Sequence, residues 1–465
     1  MRPLQLLLAF LPPDLSPSYL LALAPAVLQT IGLAVGAMFL AFCVSLPLGI
    51  VAALRLPGAR ALLAGLGALR AIPDLTLAIL FVVLLGIGPG AGLFALALYY
   101  AAGVAKMFAE ILRTAPEAPL RALRTAGASR VQTALFGLLP LKQADLISYA
   151  SYEFECALRA SVVVGAVGGG GLGSELVGSL AALDFHRAAT QILVLVLLAA
   201  AFDAGATQVR RDPRWLLALM PVGLVAVIAY APRMFALGHA LEVFGQMWPP
   251  EIPTAAWAKL PRWIGETLWM AAASTAGAVA VALVAGPASA RNLAPRWISW
   301  PTRRVMELLR AVPEVVWGLI LIAAVGVGPV AGAWALGIHS AGCLARLFGD
   351  CLENAPVAPQ QALASTGASR VSVFAYGAAP LAVGPMAAHT LFRSEWNLRM
   401  ATVLGVIGAG GVGQALYEAQ QLFFYRQMLA YIVLTWLIIT VVDRVGEMVR
   451  RRYALAPALI SADAV

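Results

Sequence analysis

The chain is written twice. LRAIPD, beginning at Leu69, returns as LRAVPE at Leu309; GIGPGAG at Gly86 returns as GVGPVAG at Gly326; TAGASR, ending at Arg130, returns as STGASR, ending at Arg370. Each pair lies 240 positions apart, and the register holds without a gap from Leu69–Gly173 to Leu309–Gly413. Roughly a third of the aligned positions are identical, the mark of a duplicated and fused unit. Whatever one half folds into, the other half must fold into as well.

The material of each copy restricts the choice further. Apolar stretches run over Ile31–Leu54, Leu75–Leu98, Ile192–Phe202, Trp215–Tyr230, Val315–Val327 and Tyr431–Val442. Several are close to the roughly 20 residues that cross a bilayer core as a helix, and others reach it with flanking small residues. Hydrophobic residues are 61% of the 465 positions and charged residues 12%. A soluble domain carries about 45–50% and about 25%, so this chain has too little polar surface for a water-facing body. The expected fold is an all-α polytopic membrane protein. The net charge of +9 sits in short clusters between apolar segments, without a basic patch interleaved with aromatics, which argues against nucleic acid as a partner. Cys43, Cys156, Cys343 and Cys351 show no CxxC spacing and read as free thiols acting as small hydrophobes. The start, MRPLQLLLAFLPPD, has a short apolar run closed by prolines and is expected to stay uncleaved.

Lys and Arg set the topology. The loops Arg55–Arg60, Arg113–Lys142, Arg210–Arg214, Arg291–Arg304 and Arg444–Arg452 hold most of the basic residues, and the alternate loops hold few. With the first set in the cytoplasm, both GASR loops fall inside and the two halves have the same orientation. Spans are predicted near 24–54, 66–87, 90–113, 141–167 and 188–209, and again near 263–290, 304–326, 329–352, 381–407 and 427–449. Joining an inside end to an outside start needs one more crossing, which Trp215–Leu237 supplies, for about 11 in all; Leu4–Leu23 would make 12. The predicted organisation is an N-terminal repeat over 1–210, a linker helix with an outside segment over 211–262, and a C-terminal repeat over 263–465. Trp248, Trp257 and Trp263 in or beside that outside segment suit an interfacial anchor better than a binding role.

VLGVIGAGGVG places Gly408, Gly410 and Gly413 at the G-x-G-x-x-G spacing of a dinucleotide loop, and Gly168, Gly170 and Gly173 stand at the same positions of the first half. That loop needs a preceding strand inside a βαβ unit. Here each run ends an apolar stretch of helix length in a chain without strand–helix alternation, so an oxidoreductase is disfavoured. The glycines read instead as breaks where a spanning helix stops, at a depth where irregular backbone is tolerated only if buried in protein or lining a wet cavity. Contact of their amides with a passing oxyanion is an expectation to be tested.

The inside loops RALRTAGASRVQTALFGLLP and QALASTGASRVSVFAYGAAP each show a helix-forming run, a glycine, and a mildly amphipathic run closed by proline. Glycine costs about 1 kcal/mol in a helix interior, so it is expected to end one helix and turn the chain. A short helix followed by a turn makes a projection for a cytoplasmic partner, against the plainer alternative of a connecting loop.

These loops resemble the EAA loop of ABC importer permeases, which runs E-A-A, three residues, Gly, then on to Leu-Pro. Ala122 and Gly127 with Leu139 and Pro140 fit that spacing, as do Ala362, Gly367 and Pro380. ENAPVAPQQALASTGASR with LFRSEWNLRMATVLGVIGAGGVG further resembles the phosphonate-type permeases, a branch near the methionine-type ones. The resemblance covers most of both halves and is closer in the second. It implies two type I permease repeats, integral to the bacterial cytoplasmic (inner) membrane. It makes the loops coupling helices seated in ATPase clefts, carried by Ala122, Gly127, Ala128, Ser129, Arg130 and Pro140, and by Ala362, Gly367, Ala368, Ser369, Arg370 and Pro380. The motif's Glu is replaced by Arg121 and Gln361, and its Leu-Pro by Ala379-Pro380 in the second copy, so seating must use other contacts.

In the span after each loop, Glu155 and Arg159 match Glu395 and Arg399 at the 240 offset. Four residues apart on a helix, each pair is expected to share a face within mutual reach. Charges at such depth face a bundle interior or water, so a structural ion pair and a place on the translocation path are both open. Glu153 aligns with Arg393, which makes the halves electrostatically unequal.

What the resemblance implies as a whole is a fused permease subunit of an ATP-driven importer for phosphonate or a related phosphorus oxyanion. Two cytoplasmic ATPase subunits, holding the ATP and magnesium, and an extracytoplasmic substrate-binding protein are the implied partners beside lipid. No cofactor, metal or catalytic site is expected in this chain, which holds no G-x-x-x-x-G-K-[ST]. A methionine or other amino-acid permease, an ion-coupled secondary transporter (more often built of inverted repeats) and, least favoured, a membrane enzyme remain as alternatives.

Overall fold

The computed structural model describes residues 9–54, 56–212, 214–230 and 237–452. Arg55, part of Leu4–Leu23 and the end of Trp215–Leu237 lie outside the described residues. Among these the chain is helices and turns without strands, in two compact units divided at Pro249–Pro250.

The first unit runs α1 (Pro17–Ala53), α2 (Ala59–Arg70), α3 (Asp74–Leu85), α4 (Pro89–Arg113), α5 (Glu117–Thr125), α6 (Arg130–Thr133), α7 (Leu139–Val164), α8 (Leu172–Ala181), α9 (Phe185–Arg211), α10 (Arg214–Tyr230) and α11 (Leu237–Met247). The second runs α12 (Thr254–Trp257), α13 (Leu260–Ser289), α14 (Arg296–Ala311), α15 (Glu314–Val325), α16 (Pro329–Glu353), α17 (Val357–Ser365), α18 (Arg370–Val373), α19 (Ala379–Leu404), α20 (Gly411–Gln421) and α21 (Tyr425–Arg452). Six of these helices are long and apolar enough to cross a membrane, and up to nine spans result if three bent pairs count as one each.

The predicted spans near 66–87 and 304–326 are not straight rods. α2 meets α3 at 87° and α14 meets α15 at 84°, with Pro73 and Pro313 at the breaks. A proline ring excludes the helical conformation from the residue before it, here the β-branched Ile72 and Val312. The 12-residue helix that follows in each unit is about 18 Å long at 1.5 Å per residue, short of a bilayer core.

In each unit the first long helix packs along the helix that follows the bent pair: α1 along α4, α13 along α16. The seams are lined with alanine and glycine, which let backbones approach where no hydrophobic force separates helix from lipid. At Gly49 an added Cβ would stand 2.8 Å from Phe108 Cβ, and at Gly286 it would stand 2.8 Å from Phe348 Cβ. These twin contacts show that α1 and α13 belong to the duplication, three residues out of register with the rest. In the first unit α10 docks on α1, with Tyr230 against Gly32, Ala226 against Gly36 and Gly223 against Phe39.

Candidate coupling and translocation elements

The two GASR segments fold alike. α5 and α17 have no buried residue. α5 ends where Gly127 N–H donates to Arg124 O at 3.1 Å and Ala128 N–H donates to Leu123 O at 3.0 Å. This double bond over a left-handed residue closes a helix C-terminus, and Gly127 has φ of 90°. Gly367 has φ of 80° and donates to Ala364 O at 3.1 Å. The chain then restarts with Ser129 as N-cap. Its Oγ accepts from Gln132 N–H at 3.3 Å while Gln132 Oε1 accepts from Ser129 N–H at 2.8 Å, a reciprocal capping box. Ser369 takes the same place, accepting from Ser372 N–H at 3.2 Å. Ala128 and Ala368 sit in the turns, Ala122 and Ala362 on the exposed helices, and Arg130 points into solvent; the Arg370 side chain lies outside the described residues.

Pro140 and Pro380 correct the reading of a run closed by proline. Each sits in the first turn of the next long helix, directly after a π-helical turn, Ala134–Leu138 or Phe374–Ala378. The helical path runs on from Arg130 to Ala166 and breaks at Val167 and Gly168. A wider turn before each proline admits a residue that has no N–H to give and would otherwise clash with the carbonyl a turn back. Leu120 and Leu123 close over Gly137, and Leu363 closes over Gly377, holding each projection against its π-turn.

The charged pairs are described with different partners in the two units; the side chains of Asp203 and Arg210, which match Asp443 and Arg450 at the 240 offset, lie outside the described residues. Glu155 and Arg159 form an ion pair along α7, as the spacing predicts. In the second unit Glu395 binds Arg450 and Arg399 binds Asp443, both on α21. Gly446 on α21 presents no side chain, and Glu395 Oε1 occupies the place where its Cβ would be. Arg159 Nε and Arg399 Nε are buried without a hydrogen-bond partner among the described residues.

The glycine runs close α7 and α19 through a π-turn, Gly165–Gly169 and Gly405–Ala409, after which the chain bends into α8 and α20. Gly168, Gly170, Gly408 and Gly410 all have positive φ. At Gly173 an added Cβ would stand 2.0 Å from Val162 O, and at Gly413 1.9 Å from Thr402 O. These glycines let the new helix lie on the last turn of the old one. Gly168 O and Gly408 O accept from Gly88 N–H at 2.9 Å and Gly328 N–H at 3.0 Å.

Sequence reasoning missed what holds the start of α8 and α20. Gln29 Oε1 accepts from Gly171 N–H at 2.7 Å and Thr30 Oγ1 from Leu172 N–H at 2.8 Å. Glu266 Oε2 accepts from Gly411 N–H at 2.9 Å and Thr267 Oγ1 from Val412 N–H at 3.1 Å. These four amides, of Gly171, Leu172, Gly411 and Val412, lie between the singled-out glycines and are committed within the protein. The Gln-Thr and Glu-Thr pairs are 237 residues apart, outside the ungapped register, and so did not stand out. A cavity of about 440 Å³ opens beside the first run, bounded by Gln29, Gly170, Gly171, Ser174, Glu175 and Tyr230.

Two helical repeats of one fold, each carrying an exposed helix–turn on the rod that ends at a glycine break, define a membrane transport subunit of the ABC importer type. The chain belongs to the family described as "Binding-protein-dependent transport system inner membrane component", which matches residues 45–215 and 278–455, once in each repeat. It is 31% identical over 404 residues to the phosphate-import permease protein PhnE of Mycolicibacterium smegmatis, covering 82% of this chain and 76% of that one. It is 33% identical over 210 residues to the phosphite transport system permease protein PtxC of Stutzerimonas stutzeri, covering 45% of this chain and 76% of that one. Among solved structures, a chain of an inward-facing methionine ABC transporter is 19% identical over 44% of this chain and 100% of its own, at a TM-score of 0.40, too low to bear on fold or substrate.

Proposed function

We propose that this chain is the membrane subunit of an ATP-driven importer for phosphonate or a related phosphorus oxyanion, with both halves of the permease fused in one polypeptide. The observation that carries this is the similarity to a phosphate-import permease across 82% of the chain, joined by phosphite permeases matching about half of it. ATP hydrolysis falls to separate cytoplasmic subunits, since no phosphate-binding G-x-x-x-x-G-K-[ST] stands in the sequence. The projections α5 and α17, with their Gly127 and Gly367 turns, are the docking points for two ATPase subunits. An extracytoplasmic binding protein delivers the substrate. Glu155, Arg159, Glu395, Arg399 and the glycine breaks belong to the translocation path.

The test is whole-cell uptake of labelled phosphite, phosphate and methylphosphonate with and without this gene, with methionine as competitor. Gene-dependent uptake blocked by phosphorus oxyanions and not by methionine is the expected outcome. Uptake that methionine blocks moves the substrate to the amino-acid branch and ends the phosphorus reading.

A further inference from the structure

A polar cluster inside the second unit is built around Arg393, where the first unit has Glu153. Glu314 opens α15, and its Oε1 lies 3.2 Å from His339 Nε2, 2.9 Å from the donating Trp396 Nε1 and 3.5 Å from Arg393 Nη2. Arg393 Nε donates to Ser340 Oγ at 2.9 Å, Ser340 donates to Asn397 Oδ1 at 2.7 Å, and Asn397 Nδ2 donates to Thr275 Oγ1 at 2.9 Å. Helices α13, α15, α16 and α19 all contribute. Cys343 Sγ lies 3.6 Å from His339 Nε2. Arg393 Nη2 is buried and makes no hydrogen bond among the described residues, since its ion pair is long and Glu314 Oε1 is shared with His339 and Trp396.

The fold does not require this arrangement. At the 240 offset the first unit has Asp74 for Glu314, Tyr99 for His339, Tyr100 for Ser340, Ala157 for Asn397 and Glu153 for Arg393. There the carboxylate of Glu153 accepts from the Tyr149 hydroxyl. One scaffold thus tolerates either sign at this depth. A guanidinium in a membrane protein's interior costs free energy unless it is paired or reaches water, yet here Ser340 takes Nε, the one carboxylate oxygen near Nη2 is shared, and Nη2 is left without a hydrogen-bond partner among the described residues. Its planar fork matches two oxygens of a phosphorus oxyanion better than it matches one shared carboxylate oxygen.

We infer that Arg393 reads the substrate oxyanion, with Glu314 as a resident anion that holds the guanidinium until substrate displaces it, and that this contact is made by the C-terminal repeat alone. The inference rests on the phosphorus reading given above. It assigns Arg393 a contact with substrate, and Ser340 and Asn397 the role of positioning it.

The experiment is uptake of labelled phosphite by cells carrying the complete transporter, normalised to the amount of permease in the membrane and to co-purified ATPase. The variants are Arg393→Gln, Arg393→Lys and the double Arg393→Gln/Glu314→Gln. Arg393→Gln should lower uptake about tenfold or more, as expected for losing charge-assisted hydrogen bonds, and Arg393→Lys should restore part of it. The double variant separates the roles. A structural ion pair is relieved when both charges go, whereas an oxyanion contact is not, so the double variant should stay as low as Arg393→Gln. Wild-type-like uptake in Arg393→Gln, or recovery in the double variant, overturns the inference. Absence of phosphite, phosphate and phosphonate uptake in the wild type overturns the phosphorus reading itself, a separate result.

Discussion

The two repeats agree in backbone and disagree in charge. Both place a glycine with positive φ after an exposed helix, a serine cap after the glycine, a π-turn before a proline, and a glycine break at the far end of the same rod. The polar side chains differ at several matched levels. Gln29 caps α8 where Glu266 caps α20. Glu153 stands where Arg393 stands in the second repeat. Arg121 and Arg124 stand on α5 where Gln361 and Ala364 stand on α17. Duplication copied a mechanical frame, and the copies then carried different electrostatics on it. The shared features should therefore fail alike when altered in either repeat, and the unshared ones should not.

The largest effect is expected at the shared turns. Gly127→Val with Gly367→Val should abolish uptake and strip the ATPase during purification while the membrane part stays folded. A left-handed residue with a side chain costs about 1–2 kcal/mol, and no neighbour lies within 4 Å to change that. Each single variant, measured for co-purified ATPase, shows whether the projections act equally; full retention of active ATPase in the double variant counts against docking there.

Next comes the shared break. Gly173→Ala and Gly413→Ala each drive a methyl to about 2 Å from a carbonyl oxygen, against backbone that cannot rotate aside. The loss should match or exceed the roughly 1–3 kcal/mol of core overpacking, read as a lower Tm of the purified complex, and be similar in both repeats. Gly170→Ala is a poor probe of amide–substrate contact, since φ is 81° and Gln29 leaves no room for a Cβ.

The unshared cap should separate the copies. Glu266→Ala leaves Gly411 N–H without its acceptor and should cost about 1–3 kcal/mol, whereas Glu266→Gln, which imitates Gln29, should keep thermal stability near wild type. Equal losses in the two variants would show that the carboxylate charge, not the hydrogen bond, is what matters.

The smallest effect is expected on α5. Arg121 is exposed and paired with exposed Glu117, so its net stabilising contribution is under about 1 kcal/mol. Arg121→Gln with Arg124→Ala imitates α17 and should leave Tm unchanged while removing part of the salt dependence of ATPase association at this projection. Unaltered salt dependence would show that these arginines face away from the partner.

The repeat, the membrane class and the helix–Gly–Ser turn were legible because they rest on identity, composition and local backbone preference. The breaks at Pro73 and Pro313 were also signalled, by proline after a β-branched residue, but lay inside apolar stretches that read as one crossing. The partners of Glu395 and Arg399 were not legible: spacing named a neighbour on the same helix, and both side chains bind charges on α21 instead. Gln29 and Glu266 were hidden by a three-residue shift between repeats that share little sequence in their first helices.

The helical path from Arg130 to Ala166 has a mechanical consequence. At 1.5 Å per residue it is about 55 Å long, and it joins the exposed turn at Ser129 to the glycine break before α8 in one piece of backbone. The helix that carries the projection is thus the helix that ends at the break, and a shift of one end has a covalent route to the other.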